Sequence, residues 1–219
     1  MLRSSLFVLL MLPLLACAGQ RPNPAARVVE AAKGFGERAG LVLVKDAYGD
    51  GATRLVYLDQ GWGPPETLWY YHADQGSTLM SYDLLVHLEQ ADNQRPFIEP
   101  ENLTRFRLLN QHATPNNPDA LPVGFARHGD KVGLTCAACH TNQINYQGTA
   151  MRIDGGPALI DFTGLLHAIR GAIEATLGDP AKLGRLAAKM KGGDAAARAA
   201  LTEDQSWFAS YEDANRTTT

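Results

Sequence analysis

Cysteine, basic charge and long apolar runs are all scarce in this chain of 219 residues. It holds three cysteines, and Lys and Arg number 20 against 23 Asp and Glu, for a formal charge of −3. With no basic excess to offset phosphates, the composition disfavours a nucleic-acid partner. Beyond residue 16 no apolar run is long enough to span a bilayer. A structural zinc site is also disfavoured, because it needs four ligands and the chain has no second Cys or His pair.

Two of the cysteines lie in the most informative stretch, Cys136-Ala137-Ala138-Cys139-His140. Two thiols and an imidazole in this order form the attachment site of a c-type haem. One helical turn would present both sulfurs to the same porphyrin edge and place His140 as the proximal iron ligand. The predicted cofactor is therefore one covalent haem c on Cys136 and Cys139. A haem-free dithiol oxidoreductase stays open as the alternative, although His140 would then have no role.

The amino terminus predicts export and a lipid anchor. Residues 1–16 carry one positive charge and an apolar run that starts at Leu6, which is typical of a signal peptide. Leu14-Leu15-Ala16-Cys17 resembles a bacterial lipobox, so Cys17 would begin the mature chain and carry a diacylglyceryl thioether. A plain secretory signal cleaved elsewhere is the alternative. Residues 17–33, which contain two prolines, indicate a lipidated tether. The predicted location is the bacterial cell envelope, on the periplasmic side or at the outer membrane.

The remainder, residues 34–219, predicts a mainly α-helical, cytochrome c-like haem domain with irregular loops and a small β element near its amino terminus. Two short apolar runs, 41–44 and 55–58, bracket Gly49-Asp50-Gly51, which suits a small hairpin or irregular strands. Capping and proline signals then indicate helices that begin near Pro64, Ser81, Pro100, Asp179 and, from a capping-box pattern, Thr202. Between them, residues 151–156 suggest an extended segment ending in a tight turn.

The sixth coordination position of the iron separates electron carriers from catalysts. Met151 is the nearest methionine after the motif, but its alternation with Ile153 gives it an equally good reason to be core. His167 falls outside the apolar stripe of its predicted helix and is expected to be solvated. No residue is a convincing distal ligand, which favours an open or water-bound iron. For the haem propionates the predicted partner is Arg152, whose Gly-rich surroundings allow close approach.

Two further groups of residues are weaker candidates for contact with the haem or with a redox partner. Tyr146 and Phe125 are aromatic residues that could wall the haem. The stripe Lys182, Arg185 and Lys189 could dock an acidic redox partner, although such a stripe is usually only a solvated helix face.

Several blocks of sequence carry a family resemblance. They are Tyr57-Leu58-Asp59-Gln60-Gly61-Trp62, Gln75-Gly76-Ser77, Ser81-Tyr82-Asp83-Leu84-Leu85, Leu121-Pro122-Val123-Gly124-Phe125-Ala126-Arg127, Gly133-Leu134-Thr135 with the motif, Tyr146-Gln147-Gly148-Thr149-Ala150 and Arg152-Ile153-Asp154-Gly155-Gly156-Pro157. In this order they resemble the amino-terminal half of the bacterial dihaem cytochromes related to cytochrome c peroxidase and rubber oxygenase.

That resemblance implies a mostly helical, exported protein with two covalent haems. It also implies that the amino-terminal haem, with His140 as proximal ligand, takes part in peroxide or dioxygen activation. Because the chain has only one Cys-pair motif, the resemblance implies an incomplete part of a longer dihaem protein, which a second haem domain or a redox partner would complement. The alternative function is that of a simple electron carrier with a six-coordinate haem.

Overall fold

The computed structural model describes residues 52–215. In chain order its elements are β1 (Arg54–Tyr57), α1 (Pro64–His72), β2 (Met80–Ser81), α2 (Tyr82–His87), α3 (Pro100–Thr104), β3 (Phe125–His128), β4 (Lys131–Leu134), α4 (Cys136–Cys139), β5 (Thr141–Tyr146), β6 (Thr149–Asp154), α5 (Phe162–Gly178), α6 (Pro180–Lys189) and α7 (Gly193–Ala214). The predicted lipid-bearing Cys17, the tether and the apolar run 41–44 lie outside the described residues.

The chain has an α+β fold, so the prediction of a mainly α, cytochrome c-like domain is wrong. Helix accounts for 45% of the structure and strand for 19%. The strands form two small three-stranded sheets, one in the order β1-β6-β5 and the other in the order β2-β4-β3. Two hairpins, β3–β4 and β5–β6, flank the cysteine motif on either side. The β structure is therefore built around the middle of the chain and is not confined to its amino-terminal part.

The first sheet brings together segments that are far apart in sequence. β1 runs parallel to β6, with Arg54 opposite Thr149, while β5 and β6 form an antiparallel hairpin. The two hairpin-turn residues, Gln147 and Gly148, have φ of 45° and 75°. Positive φ at both positions is the geometry of a tight two-residue turn that matches the natural twist of the strands. This turn sets the register of β5 and β6. The extended segment predicted at residues 151–156 is thus present as β6, although the strand begins at residue 149 and ends at residue 154.

The second sheet is wholly antiparallel, and its central strand β4 pairs with β2 and β3. Gly129 turns the chain between β3 and β4 with φ of 60°. At Gly133 the backbone passes so close to a neighbouring segment that a Cβ would lie 1.7 Å from the Ser77 carbonyl oxygen. Only glycine fits at that position, since no real Cβ approaches an oxygen so closely.

The helices begin largely where the sequence signals place them. Pro64 and Pro100 open α1 and α3. Ser81 caps α2, with its hydroxyl accepting from the Leu84 N–H at 3.4 Å. The Asp179 carboxylate accepts the Ala181 N–H at 2.8 Å at the start of α6. Four of the predicted helix starts are therefore confirmed.

The predicted helix start at Thr202 is wrong, because Thr202 lies inside α7, which runs from Gly193 to Ala214. Its hydroxyl donates to the Arg198 carbonyl at 2.8 Å, one turn back in the same helix. A Ser or Thr hydroxyl can bond in this way within a helix as readily as it caps one. The alanine-rich stretch and the supposed next helix are thus one continuous element.

The main hydrophobic core lies among α2, α5, α6, α7 and the second sheet. Its fully buried side chains are Leu84, Leu88, Val132, Ile169, Ile173, Leu201 and Phe208. A second, smaller cluster of Tyr71, Val123 and Ala137 joins α1 to α4. Across residues 52–215, no helix is both long and apolar enough to cross a membrane.

Candidate functional site

The cysteine motif forms a single helical turn whose reactive side chains face outward. α4 spans Cys136–Cys139, and the Thr135 hydroxyl caps it by accepting the Ala137 N–H at 3.2 Å. The two alanines between the cysteines are buried, whereas both cysteines and His140 are exposed. Both thiols are free. Because residues three apart share a helix face, the two sulfurs are presented to the same side, as the sequence predicts.

Hydrogen bonds from other segments hold the backbone of this turn at both cysteines. The Cys136 N–H donates to the Gln75 side-chain oxygen at 3.0 Å, from the segment that follows α1. The Cys139 carbonyl accepts the Ala158 N–H at 2.8 Å, from the segment that follows β6. The positions of the two thiols are therefore set by tertiary contacts, since a helix of one turn has almost no stability of its own.

The His140 carbonyl is held by two donors. It accepts the Gly155 N–H at 2.6 Å and the Tyr70 hydroxyl at 2.7 Å. Burial raises the pKa of the Tyr70 hydroxyl, which keeps its proton on the oxygen and preserves it as a donor. His140 itself leaves the helix, with φ of −126° and ψ of 35°, and its N–H donates to the Cys136 carbonyl at 2.9 Å.

A close backbone contact lies beneath the turn at Gly124. Gly124 has φ of +82°, and a Cβ there would lie 2.0 Å from the Ala138 nitrogen and 2.4 Å from its Cα. The Gly124 carbonyl accepts the Thr135 N–H at 2.8 Å. Glycine therefore allows the loop before β3 to support α4 from below.

A buried polar pair links α1 to the end of β6 next to the motif. The Tyr71 hydroxyl donates to Asp154 Oδ1 at 2.5 Å, and the two residues are 0% and 2% exposed. Burial raises the pKa of Tyr71 well above its usual value, so the phenol stays protonated. The Gln60 side chain also bonds both the N–H and the carbonyl of Asp154, at 3.0 and 2.5 Å. These bonds fix the strand end from which Gly155 reaches His140.

Arg152, the predicted propionate partner, is buried in the first sheet at 1% exposure. Its Nη2 donates to Gln143 Oε1 at 2.6 Å. Its Nε and Nη1 are buried and have no hydrogen-bond partner among residues 52–215. Unused donors on a buried guanidinium are costly and would be satisfied by an anionic group.

The two residues that the sequence analysis weighed as distal ligands, without predicting either, lie in different parts of the fold. Met151 is half-buried on β6, where it lies opposite Val56 and Ile144 in the sheet, and this neighbourhood favours the packing interpretation. The His167 side chain is 64% exposed on α5, with Nε2 3.7 Å from Glu212 Oε1. His167 is thus solvated, as its place outside the apolar stripe predicts.

Of the remaining predicted residues, some are buried in the fold and others lie at its surface. Tyr146 is 70% exposed at the end of β5, and Phe125 is buried in the main core. Lys182 is buried and donates to two backbone carbonyls, at 2.7 and 2.6 Å. Arg185 forms a two-bond pair with Glu89, at 2.7 Å each. Two residues of the basic stripe predicted on α6, Lys182 and Arg185, therefore form bonds within the fold and do not serve as free charges for a partner.

The residues that support the motif carry no signal within the motif itself. Tyr70 and Tyr71 lie far from it in sequence and Gly124 lies in the loop before β3, and only the fold brings the three to it. One signal was available for the tyrosines, because Trp69-Tyr70-Tyr71 puts three aromatic rings into one turn of a short helix.

Comparison with known proteins finds a relative of this chain, but that relative does not indicate a function. The chain is similar to an uncharacterised protein, y4iJ, of Sinorhizobium fredii, at 35% identity over 176 residues. The match covers 68% of this chain and 29% of the relative, so the chain spans less than a third of that protein's length. No protein-family model matches the chain, and no solved structure matches it.

The resemblance to the dihaem cytochromes is therefore wrong. The relative that is found is uncharacterised, the fold is α+β, and nothing supports a relation to cytochrome c peroxidase. Within the described part of the chain, no three His, Cys, Asp or Glu side chains are grouped so that they could hold a metal ion by themselves. The second haem domain, and the peroxide or dioxygen activation that the resemblance implies, therefore lose their support. The covalent haem was predicted from Cys136, Cys139 and His140 themselves and does not depend on the resemblance.

Proposed function

We propose that this chain contains a c-type cytochrome domain, with one haem bound covalently to Cys136 and Cys139 and with His140 as proximal ligand. The observation that carries the proposal is the contrast between a fixed backbone and exposed side chains on one helical turn. The backbone of the turn is held by the side chains of Gln75 and Tyr70 and by the N–H groups of Ala158 and Gly155. Its two thiols and its imidazole are exposed. A ligand held by all three side chains would meet a preorganised site.

The chemistry of attachment suits this donor set. Each thiol adds across a vinyl group, with the sulfur bonding one carbon and the proton passing to the other, so no oxidant is needed. His140 supplies a neutral nitrogen ligand from the adjacent position. When bound, the haem would supply a one-electron redox centre, and the domain would serve electron transfer or haem-based redox chemistry.

The surface beside the turn offers apolar cover for a porphyrin. Leu159, which follows the Ala158 that bonds Cys139, is 61% exposed. The Tyr70 ring packs against Trp62, with centroids 5.3 Å apart. A porphyrin attached to the two thiols would cover the exposed Leu159 side chain and remove it from water. Arg152 would donate its unused nitrogens to a haem carboxylate.

The test is covalent haem retention. Expressed together with a c-type maturation system, the wild type should keep haem through denaturing electrophoresis, and Cys136→Ala with Cys139→Ala should lose it. Cys17→Ala is the matched control, since it removes the third cysteine and should retain haem. A wild type that matures normally but shows no haem stain would end this proposal.

A dithiol function is the second candidate, because both thiols are free and exposed. The same experiment separates the two. A haem-free wild type whose two thiols form a reversible internal disulfide would favour redox exchange. A wild type that carries haem, and whose thiols resist alkylation because both are thioethers, would exclude it.

The sixth position of the iron decides between carrier and catalyst. Because His167 is solvated and Met151 lies in the sheet, we propose an open or water-ligated iron. The ferrous protein should then bind carbon monoxide readily. A low-spin iron that resists carbon monoxide, and changes in Met151→Ala or His167→Ala, would instead establish a six-coordinate electron carrier.

The cellular location of the protein is proposed from the signal-peptide and lipobox patterns at its amino terminus. Export would bring the motif to the compartment in which bacterial c-type haems are attached, and Cys17 would hold the chain to the envelope by its lipid. The partners would be the membrane, through that lipid, and a redox protein. No nucleic-acid partner is proposed, because the formal charge is −3.

A further inference from the structure

We infer that Tyr70 is a positioning residue for His140, which sets the direction of the imidazole by holding the backbone that carries it. The inference rests on the proposed function, because its main consequence concerns the bond from His140 to iron. Nothing in the sequence motif points to Tyr70, which lies 70 residues before His140.

The contact is direct and falls at the point where the helical turn ends. The Tyr70 hydroxyl donates to the His140 carbonyl at 2.7 Å, and the Gly155 N–H donates to the same oxygen at 2.6 Å. His140 has already left the helical conformation, so no intrahelical bond fixes this carbonyl. Two donors from different segments therefore determine the orientation of the peptide group, and with it the direction of the adjoining side chain.

Tyr70 can act in this way because its own position is rigid. Its ring lies 5.3 Å from the Trp62 ring and 5.9 Å from the Tyr71 ring, centroid to centroid. The Tyr71 hydroxyl in turn bonds buried Asp154, one residue before Gly155. Adjacent tyrosines of α1 therefore tie the helix to both of the segments that meet at the His140 carbonyl.

The effect of losing the hydroxyl is limited and measurable. Tyr70→Phe keeps the ring and its contact with Trp62, and leaves the His140 carbonyl with the Gly155 donor alone. One hydrogen bond has a net value that corresponds to about a three- to tenfold change in an equilibrium. Acid displaces a histidine from iron by taking up one proton. The midpoint of that release should therefore rise by about half to one pH unit in the variant.

The experiment compares covalently loaded wild type, Tyr70→Phe and Tyr211→Phe by following the iron spectrum during acid titration. Tyr211 is the matched control, because its ring stacks on Trp207 within α7 and it undergoes the same loss of a hydroxyl. Both variants should keep both thioethers, and only Tyr70→Phe should show the raised midpoint. Equal midpoints in all three proteins would overturn the role of Tyr70 and leave the proposed function standing.

Two other outcomes are also decisive. A wild type that takes no haem would overturn the proposed function, and the role of Tyr70 in iron ligation with it. Should only Tyr70→Phe fail to load, amide hydrogen exchange of Gly155 in the haem-free chains would decide. A rate three- to tenfold above that of the wild type supports loss of the anchor at His140, and an unchanged rate contradicts it.

Discussion

The close contact at Gly124 gives the strongest test of how this fold supports the motif. Replacing Gly124 with Ala adds one methyl group, 2.0 Å from the Ala138 nitrogen and 2.4 Å from its Cα. Both are backbone atoms of α4, so no side-chain rotation relieves the overlap. Either the turn or the loop must move, and the bond from the Thr135 N–H to the Gly124 carbonyl is then strained or lost.

The cost can be worked out from its parts. Left-handed φ at a non-glycine residue costs about 1–2 kcal/mol. Overpacking a buried contact costs about 1–3 kcal/mol, and a lost hydrogen bond about 0.5–1.5 kcal/mol. We therefore expect Gly124→Ala to lower the free energy of unfolding by about 2.5–6.5 kcal/mol. Haem loading of the variant should fall as well, because the displaced residues carry the thiols.

Urea unfolding followed by circular dichroism measures this cost, with haem content measured on the same preparations. Gly129→Ala is the matched control, because it has φ of +60° and its Cβ would meet nothing within 4 Å. It should lose only about 1–2 kcal/mol, from the backbone conformation alone. Adding Ala138→Gly to Gly124→Ala should not restore stability, since the worst contacts are with backbone. Equal losses at positions 124 and 129, with normal haem loading, would refute this reasoning.

Three other predictions concern separate parts of the molecule. Labelled palmitate should enter the wild type and be absent from Cys17→Ala, and an unlabelled, soluble mature wild type would contradict the lipid anchor. Tyr71→Phe should lower the free energy of unfolding by about 1–3 kcal/mol in urea titrations, because it leaves the buried Asp154 carboxylate without its phenol donor; a change below 0.5 kcal/mol would show that the pair matters little. Burial raises the pKa of Asp204 to about 6 from 3.8, so its contribution to stability is present below 3.8 and is lost as pH rises through about 6. Asp204→Asn should therefore remove a decline of about 3 kcal/mol in unfolding free energy across that window. Wild-type and variant stability profiles that stay parallel in urea titrations would contradict this.

The sequence predicted the local structure of the motif better than the fold around it. One helical turn that carries two thiols on one face follows from the spacing, and the structure has it. The extended segment that ends near Gly155 is present as β6. Local signals act over a few residues, so they remain valid whichever fold surrounds them.

The predicted fold class was wrong because the contacts that decide the fold join residues far apart in the sequence. β1 pairs with β6, which is 95 residues further along the chain, and no short-range pattern announces a pairing of that kind. A nearer signal was missed, since Gln147-Gly148 between two alternating segments is a hairpin signal. The polar residues of β5 concealed its strand character, because this strand lies at the edge of the sheet and is partly exposed.

The supporting residues were missed for a related reason, and they show how the fold acts on the motif. A helix of four residues cannot hold its own shape, so the positions of Cys136 and Cys139 depend on partners that the motif does not encode. Those partners come from the segments after α1 and after β6, and from the loop before β3. They hold the backbone of the turn from three separate segments of the chain, while the two thiols and the imidazole stay exposed. In the proposed haem site this division would be useful, because a fixed backbone would limit the movement of His140 when the charge on the iron changes.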